Sequence, residues 1–456
     1  MREATLAHAE PAWLGRSGAS DSKMKICVFG LWHLGCVTAA CVAQHFSTIG
    51  IDPDADNIAG LQQGRPPISE PGLAELIRSG VSSNRLRFTT DLCEAASEAD
   101  IVWVTFDTPV DDEDRADFQY VEAQIAMVFP YLRDGATVLI SSQMPVGSTR
   151  RISNLFRAQY PGRVVHFAYS PENLRLGKAL ETFRSPERIV VGTQELPDRQ
   201  RLRPLLEPFC QNLVWMSNES AEMTKHALNS FLANSIAFAN EIGALCEESG
   251  ADAKEVEIGL KTDARIGPRA YLAAGGPFAG GTLARDLSFL IARAKQAAIR
   301  TPLLESILRS NELHKNWHRR KLESVLGTLS GRSVAVLGLT YKPGTDTLRR
   351  SAAVELCHWL SDRQVHVNAF DPAVQQVPEE LNRRITLCRS ASEALKGCDA
   401  AVIATEWPQF RDLAPQDLIC QMKAPVVLDA NRFLEKTLAG TPALTYLAVG
   451  IPKASA

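Results

Sequence analysis

A chain of 456 residues is about three times the ~150-residue size of a typical domain, so two or three folded units are expected. Its 45% hydrophobic and 22% charged content, with 29 Gly and 25 Pro, excludes the collagen-like, coiled-coil and disordered classes. Lys and Arg number 49 against 52 Asp and Glu, a net charge of −3 without the basic excess that binds a phosphate backbone, so no nucleic-acid partner is expected.

Residues 1–23 are rich in Ala, Ser and Gly, carry Glu3 and Glu10 and have no apolar core. They read as a mobile arm rather than a secretory signal. No run of about 18 apolar residues occurs, so no membrane partner and a cytoplasmic location are expected. From Lys25 the chain runs strand (KICVFG), turn, helix (VTAACVAQHF) and strand (STIGID), a βαβ unit. Further buried-strand runs at 101–106, 137–142 and 188–192 imply a doubly wound parallel α/β sheet, with domain bounds at 24–205.

Between Ser220 and Gly250 the apolar residues Leu228, Phe231, Leu232, Ile236, Ala239, Ile242 and Leu245 recur every three or four positions, one long amphipathic helix. The 206–330 region reads as a central helical domain. SVAVLGLTYKPGTD reopens the strand-then-turn pattern, and VHVNAFDP, AAVIATEW and APVVLDANR add three strands, so 331–450 reads as a second Rossmann-like domain. Ligands are expected at carboxyl ends of strands, in a cleft between the two.

GLWHLG stands between a strand and a helix, where a dinucleotide fingerprint belongs, and Asp52 follows at the end of the next strand. Gly30, Trp32, His33, Leu34 and Gly35 would then line the pyrophosphate, at a helix N-terminus. Asp52 would take the ribose hydroxyls, and with Asp54 close behind it would repel a 2′-phosphate, which favours NAD over NADP. Trp32 occupies the middle glycine position and threatens the close approach of backbone to phosphate. The ten cysteines lie singly, with no CxxC pair or zinc spacing, and read as small buried hydrophobes. His314 and His318 share a helical spacing, but their basic neighbours repel cations, so a solvated face and no metal site are expected.

Taken together, GLWHLG, RPPISEPGLAELI (65–77), DTPVDDEDRADFQYV (107–121), SSQMPVGST (141–149), SPENLRLGKALETFRSPERIVVG (170–192), KHALNSFLANSIAFANEIGALCE (225–247), DARIGPRAYL (263–272), FAGGTLARD (278–286) and GLTYKPGTDTLR (338–349) resemble the UDP-glucose/GDP-mannose dehydrogenase family, from Lys25 to about Phe433. The resemblance implies two Rossmann-type domains joined by a helical dimerisation domain, a homodimer, and NAD-dependent oxidation of a nucleotide-linked sugar. It places Thr108, Pro109 and Ser142 at the cofactor, and Gln143, Arg265, Tyr271, Phe278, Gly280, Tyr341, Lys342 and Arg432 at the substrate. Lys225 would stabilise charge on the carbinol oxygen, Asn229 would position that oxygen or a water, and Glu172 and Asp286 would orient Lys225 or relay the proton. Lys225 and Asn229 are four apart and share a helix face.

The sequence departs from the family pattern at the loop FAGGTLARD, where Thr282 stands at the position of the family's cysteine nucleophile. A threonine hydroxyl needs an adjacent base to attack a carbonyl, whereas a thiol does not. Gln143 replaces a threonine, and Asn431 stands at the usual arginine position with Arg432 beside it. These changes predict one two-electron oxidation of a carbinol to an aldehyde or ketone, including one that serves epimerisation or dehydration. A conventional four-electron dehydrogenase giving a uronic acid and a catalytically inactive sugar-nucleotide-binding protein stay open as alternatives. So do bland roles: Lys225 as a solvated charge, Glu172 and Asp286 as partners of Arg175 or Arg285, Thr282 as a filler of space.

Overall fold

Short runs of β-branched and apolar residues, each too short for a helix, set the strands of two sheets. In this computed structural model the described residues are 24–109, 116–172, 174–278, 281–349 and 351–452; the N-terminal arm and Gly280 lie outside them. They form two compact units, one made of the chain to Asp107 with Glu122–Ser142 and Thr149–Trp215, the other of Thr108–Val121, Gln143–Ser148 and everything from Met216.

The first unit holds β1 (Lys25–Phe29), β2 (Ser47–Ile51), β3 (Leu86–Thr89), β4 (Ile101–Val104), β5 (Thr137–Ile140), β6 (His166–Tyr169), β7 (Ile189–Gly192) and β8 (Leu213–Met216), in the sheet order β3-β2-β1-β4-β5-β6-β7-β8. Strands β1 to β6 run parallel in the order 3-2-1-4-5-6 of a dinucleotide-binding fold. The parallel, doubly wound sheet expected from the sequence is thus present, with one antiparallel pairing, of β7 with β6. The connection between them carries only the short helix Ala179–Arg184, which packs on the His33–Val42 helix instead of making a full crossover.

In the second unit, β9 (Ser333–Leu337), β10 (His366–Phe370), β11 (Thr386–Leu387), β12 (Ala400–Ile403), β13 (Val426–Leu428) and β14 (Thr445–Leu447) repeat the order, β11-β10-β9-β12-β13-β14. Successive residues of β9 feed two cores: Val334 and Val336 on one face, Ala335 and Leu337 on the other. A period of two with both faces covered is what a buried parallel strand requires.

The long helix spans Asn218–Ser249, N-capped by Ser217 and closed at Gly250. Its inward face is small and polar: Ala221, Lys225, His226, Asn229, Ala233, Ala237 and Gly243 are buried. The apolar series read from the sequence does not all point inward, since Phe231 is 68% and Leu245 65% exposed. The inward face packs closely on helices Thr282–Gln296 and Pro302–Lys315, where bulky side chains would not fit. Residues 263–281, expected to be helical, form turns and loop among the described residues. Near the C-terminus Glu247 of the long helix accepts hydrogen bonds from the Gly450 amide, 3.1 Å, and the Trp317 indole, 2.9 Å, and pairs with Lys321; the Ala253 amide donates to the Gly450 carbonyl oxygen. Among the described residues no helix is long and apolar enough to cross a membrane.

The solvated face expected for His314 and His318 is also corrected. His314 is buried and its Nε2 lies 2.7 Å from the Gly275 carbonyl oxygen, while His318 packs edge-on against Trp317. Burial, with the nearby His314 second, pushes His318 down from 6.5 to about 4. Below pH ~6.5 the unfolded chain takes up this proton first, so the contribution of His318 to stability is complete above that pH and is lost as pH falls toward 4. The unfolding midpoint is expected to drop across this window and to drop less steeply in His318→Gln; equal slopes in a pH series of thermal melts would refute it.

Candidate active site

The first turn after β1 is built on two glycines. Gly30 has φ +97°, and a Cβ there would lie 2.8 Å from the Phe106 ring; a Cβ on Gly35 would fall 1.7 Å from the Gly30 carbonyl oxygen. Trp32, the apparent defect in the fingerprint, has φ −89° and ψ −149°, a conformation open to any residue, and its side chain is 48% exposed. The backbone turn therefore survives the substitution. Asp52, at the end of β2, accepts the Leu31 amide at 2.6 Å and the Asp54 amide at 3.0 Å, one on each oxygen. A carboxylate has about four acceptor positions, so capacity remains for ribose hydroxyls. Asp54 caps the helix Ala55–Gln62. Together, these groups fit NAD.

The second sheet repeats the turn with a different outcome. Asp371, at the end of β10, accepts the Leu339 amide at 2.7 Å and the Ala373 amide at 2.9 Å, as Asp52 does with its own neighbours. It also accepts the Thr340 amide, the Thr340 hydroxyl and the Trp407 indole. Its Oδ2 is thus crowded by four donors inside the fold, while Oδ1 takes only the Ala373 amide.

Glu70 ties down the turn after β1. Its buried carboxylate lies 3.0 Å from His33 Nε2 and accepts the amides of Gly177 and Ala179, each at 2.8 Å. Burial alone would raise its pKa, but those two amides and His33 outweigh it and hold the group below the ordinary carboxylate value. Leu34 and Ser142 are buried in the same unit, and Glu172 accepts the Leu174 amide at 2.7 Å beside a small cavity of about 80 Å³ lined also by Ser141, Ser170 and Phe183.

In the second unit, the carboxylate of Asp286 is the centre of a buried polar cluster. It has no exposed surface and meets Gln143 Nε2 and His226 Nδ1 on Oδ1, the latter at 2.7 Å, and Asn229 Nδ2 on Oδ2. The other end of the Gln143 amide accepts Arg285 Nη2, and its backbone carbonyl oxygen accepts the Thr108 hydroxyl at 2.5 Å. Lys225, 6% exposed, lies on the same buried face of the helix, which removes the reading of a solvated charge. Glu222, one turn earlier, accepts the Gly147 amide. Thr282 opens the Thr282–Gln296 helix, exposed, one turn before Asp286.

The remaining expected substrate residues scatter more widely. Polar side chains frame the segment before Thr282: Asn311 bonds the Phe278 amide and carbonyl oxygen, and Asn431 accepts the Gly276 amide at 2.5 Å. The Tyr341 hydroxyl lies 3.3 Å from where a Cβ on Gly281 would stand, and Lys342 is half-buried in the same turn. Arg432 is not a free cation for a diphosphate: it pairs with Asp252 at 2.7 Å and Glu435 at 3.3 Å. Arg265 pairs with Asp263, and with Tyr271 it lines a groove of about 600 Å³ beside Phe231 and Phe238. Pro109 is exposed at the edge of the described segment. Sequence reasoning missed His226 and Glu70; neither belongs to a motif with its own chemistry, although His226 adjoins Lys225.

Comparison with known proteins accords with this geometry. Models of the UDP-glucose/GDP-mannose dehydrogenase family match in three parts: the NAD binding domain over residues 24–210, the central domain over 219–313 and the UDP binding domain over 335–436. The chain is 33% identical over 446 residues to a UDP-glucose 6-dehydrogenase of Pseudomonas aeruginosa, covering 94% of this chain and 98% of that protein. It is 34% identical to one of Rhizobium meliloti, covering 94% and 100%. A solved UDP-glucose dehydrogenase from Pyrobaculum islandicum superposes with a TM-score of 0.84 at 30% identity, covering 96% of this chain and all of that one. Fold and site thus define an NAD-dependent oxidoreductase that acts on the CH–OH group of a nucleotide sugar. The chain belongs to the UDP-glucose/GDP-mannose dehydrogenase family.

Replacing Asp286 by Ala leaves the buried donors of Gln143, His226 and Asn229 facing no acceptor. The expected cost is about 3–5 kcal/mol of stability, read by denaturant unfolding. A loss under ~1 kcal/mol would mean the cluster relaxes freely.

Proposed function

We propose that this enzyme carries out a single two-electron oxidation of a UDP-linked sugar, taking a carbinol to an aldehyde or ketone. The observation that carries the reading is a reacting pocket without a thiol. Thr282 stands one turn before Asp286, and the cysteine on the Lys225 helix, Cys246, is 21 residues further along, about 31 Å at 1.5 Å per residue. Of the other cysteines of that unit, Cys357 and Cys398 are buried, which pushes their thiols up to about 12 and about 11.

Bound NAD supplies the hydride acceptor for the reaction. Gly30, Gly35, Asp52 and the amides opening the His33–Val42 helix would hold it, with Thr108, Pro109 and Ser142 assigned to the same cofactor. Lys225 stabilises the negative charge that builds on the carbinol oxygen as its proton leaves, and Asn229, fixed by Asp286, orients that oxygen. Glu172 relays the proton. The substrate segment runs from Gly275 to Thr282, with Tyr341 and Lys342 on its flank and Gln143 bridging Arg285 and Asp286. Work in the cytoplasm fits this reading.

The test is the product mass after incubation with NAD and a panel of UDP- and GDP-linked sugars, UDP-glucose first. Loss of two hydrogens with one NADH per sugar is expected. A gain of one oxygen with loss of two hydrogens, at two NADH per sugar, would establish the four-electron dehydrogenase instead. An unchanged mass with every sugar would leave a binding protein or an epimerisation in which the hydride returns, and loss of water would point to a dehydratase.

A homodimer belongs to the same proposal. Phe231, Phe238 and Leu245 are spaced by seven on the long helix, form one outward stripe and are 68%, 46% and 65% exposed. A second copy covering that stripe would also reach Arg265 and Tyr271, which line the adjoining groove. Sedimentation should give a dimer for the wild type and a monomer for Phe231→Asp combined with Phe238→Asp; a monomeric wild type would overturn the assignment.

A further inference from the structure

His226 is buried, with 1% of its side chain exposed, and both ring nitrogens are occupied. Nε2 lies 3.0 Å from the Met144 carbonyl oxygen and Nδ1 lies 2.7 Å from Asp286 Oδ1. A carbonyl oxygen can only accept, so Nε2 carries a hydrogen. Two lone pairs cannot face each other at 2.7 Å, so a proton also lies between Nδ1 and the carboxylate. Gln143 and Asn229 donate to the same carboxylate, and hydrogen bonds to a carboxylate favour its ionised form. The proton therefore belongs to the imidazole.

We propose that His226 is a positioning residue of the reaction: a doubly donating imidazole that fixes Asp286, compensates its charge and ties it to the segment leaving β5. The proposal rests on the dehydrogenase reading above. Of the charged groups on the two helices, Asp286 bonds the ring, Arg285 precedes Asp286 on the Thr282–Gln296 helix, and Glu222 and Lys225 lie one turn and one residue before His226 on its own helix; the Phe289 ring stands edge-on at 5.4 Å. Without compensation, the buried carboxylate would compete for Lys225, the cation that must serve the carbinol oxygen. The same bonds hold Asn229 in place through Asp286, while His226 and Glu222 grip Met144 and Gly147 from one helix face.

Two measurements test this, the first without substrate. In protein labelled with ¹⁵N-histidine, at neutral pH, the signals lost in His226→Asn should report two protonated ring nitrogens. One protonated and one bare nitrogen would overturn the proposal, whatever the enzyme oxidises. The second measurement uses NAD and whichever sugar the protein turns over. His226→Phe should lower kcat by roughly 10- to 100-fold with KM within about threefold, the pattern of lost orientation rather than lost binding. His226→Asn, which places an amide N–H where Nδ1 stood, should recover much of that loss. Equal losses in the Phe and Asn variants, or a change confined to KM, would leave His226 as packing alone. Failure to oxidise any sugar would count against the dehydrogenase reading while the nitrogen signals still decide the imidazole's state.

Discussion

A carboxylate with no exposed surface has to be met by donors or it unfolds its surroundings, because the cost of removing an unpaired charge from water is several kcal/mol even after relaxation. Asp286 meets this constraint with side chains from two other segments, Gln143 from the segment leaving β5 and His226 and Asn229 from the long helix. That demand explains the helix itself. A face given over to Glu222, Lys225, His226 and Asn229, padded with alanine, cannot also be the face of large apolar side chains, so Phe231, Phe238 and Leu245 turn outward.

The two sheets show one turn used for two purposes. In each, an aspartate at the end of the second strand accepts the amide that follows the first strand's closing glycine and the amide two residues beyond itself. Thr340 and Trp407 then crowd three further donors onto Oδ2 of Asp371, the oxygen that already takes the Leu339 amide, whereas each oxygen of Asp52 takes a single amide. The repeat of topology is thus not a repeat of hydrogen bonding, and the difference lies in three donor groups.

Much of the fold could be read from apolar runs. The strands at 25–29, 101–104, 333–337 and 400–403 are central, buried on both faces and rich in Val and Ile, which is the pattern that sequence periodicity detects. The two-residue β11 and the short edge strand β14 gave no such signal, and β6, though buried, is only His-Phe-Ala-Tyr. At the site, Lys225, Asn229 and Asp286 stood out because they sit in motifs, and all three are buried. Gln143 was legible as a departure but not as a bridge between Arg285 and Asp286, since that depends on a partner 142 residues away. Arg432 was legible as a cation beside a substrate motif but not as the partner of Asp252, which lies far away in sequence.

The meeting of Glu247 with Gly450 has a bearing on how the chain can be cut. A Cβ on Gly450 would lie 2.2 Å from that of Ala253, so the last turns of the polypeptide are wedged between the long helix and its successor, with no room for a looser fit. The end of the second nucleotide fold is in this sense a part of the helical layer. An isolated C-terminal fold would leave Gly450 without the groove it fills, and a chain stopped before Gly450 would expose that groove and strip Glu247 of a donor; the natural places to divide this protein lie elsewhere.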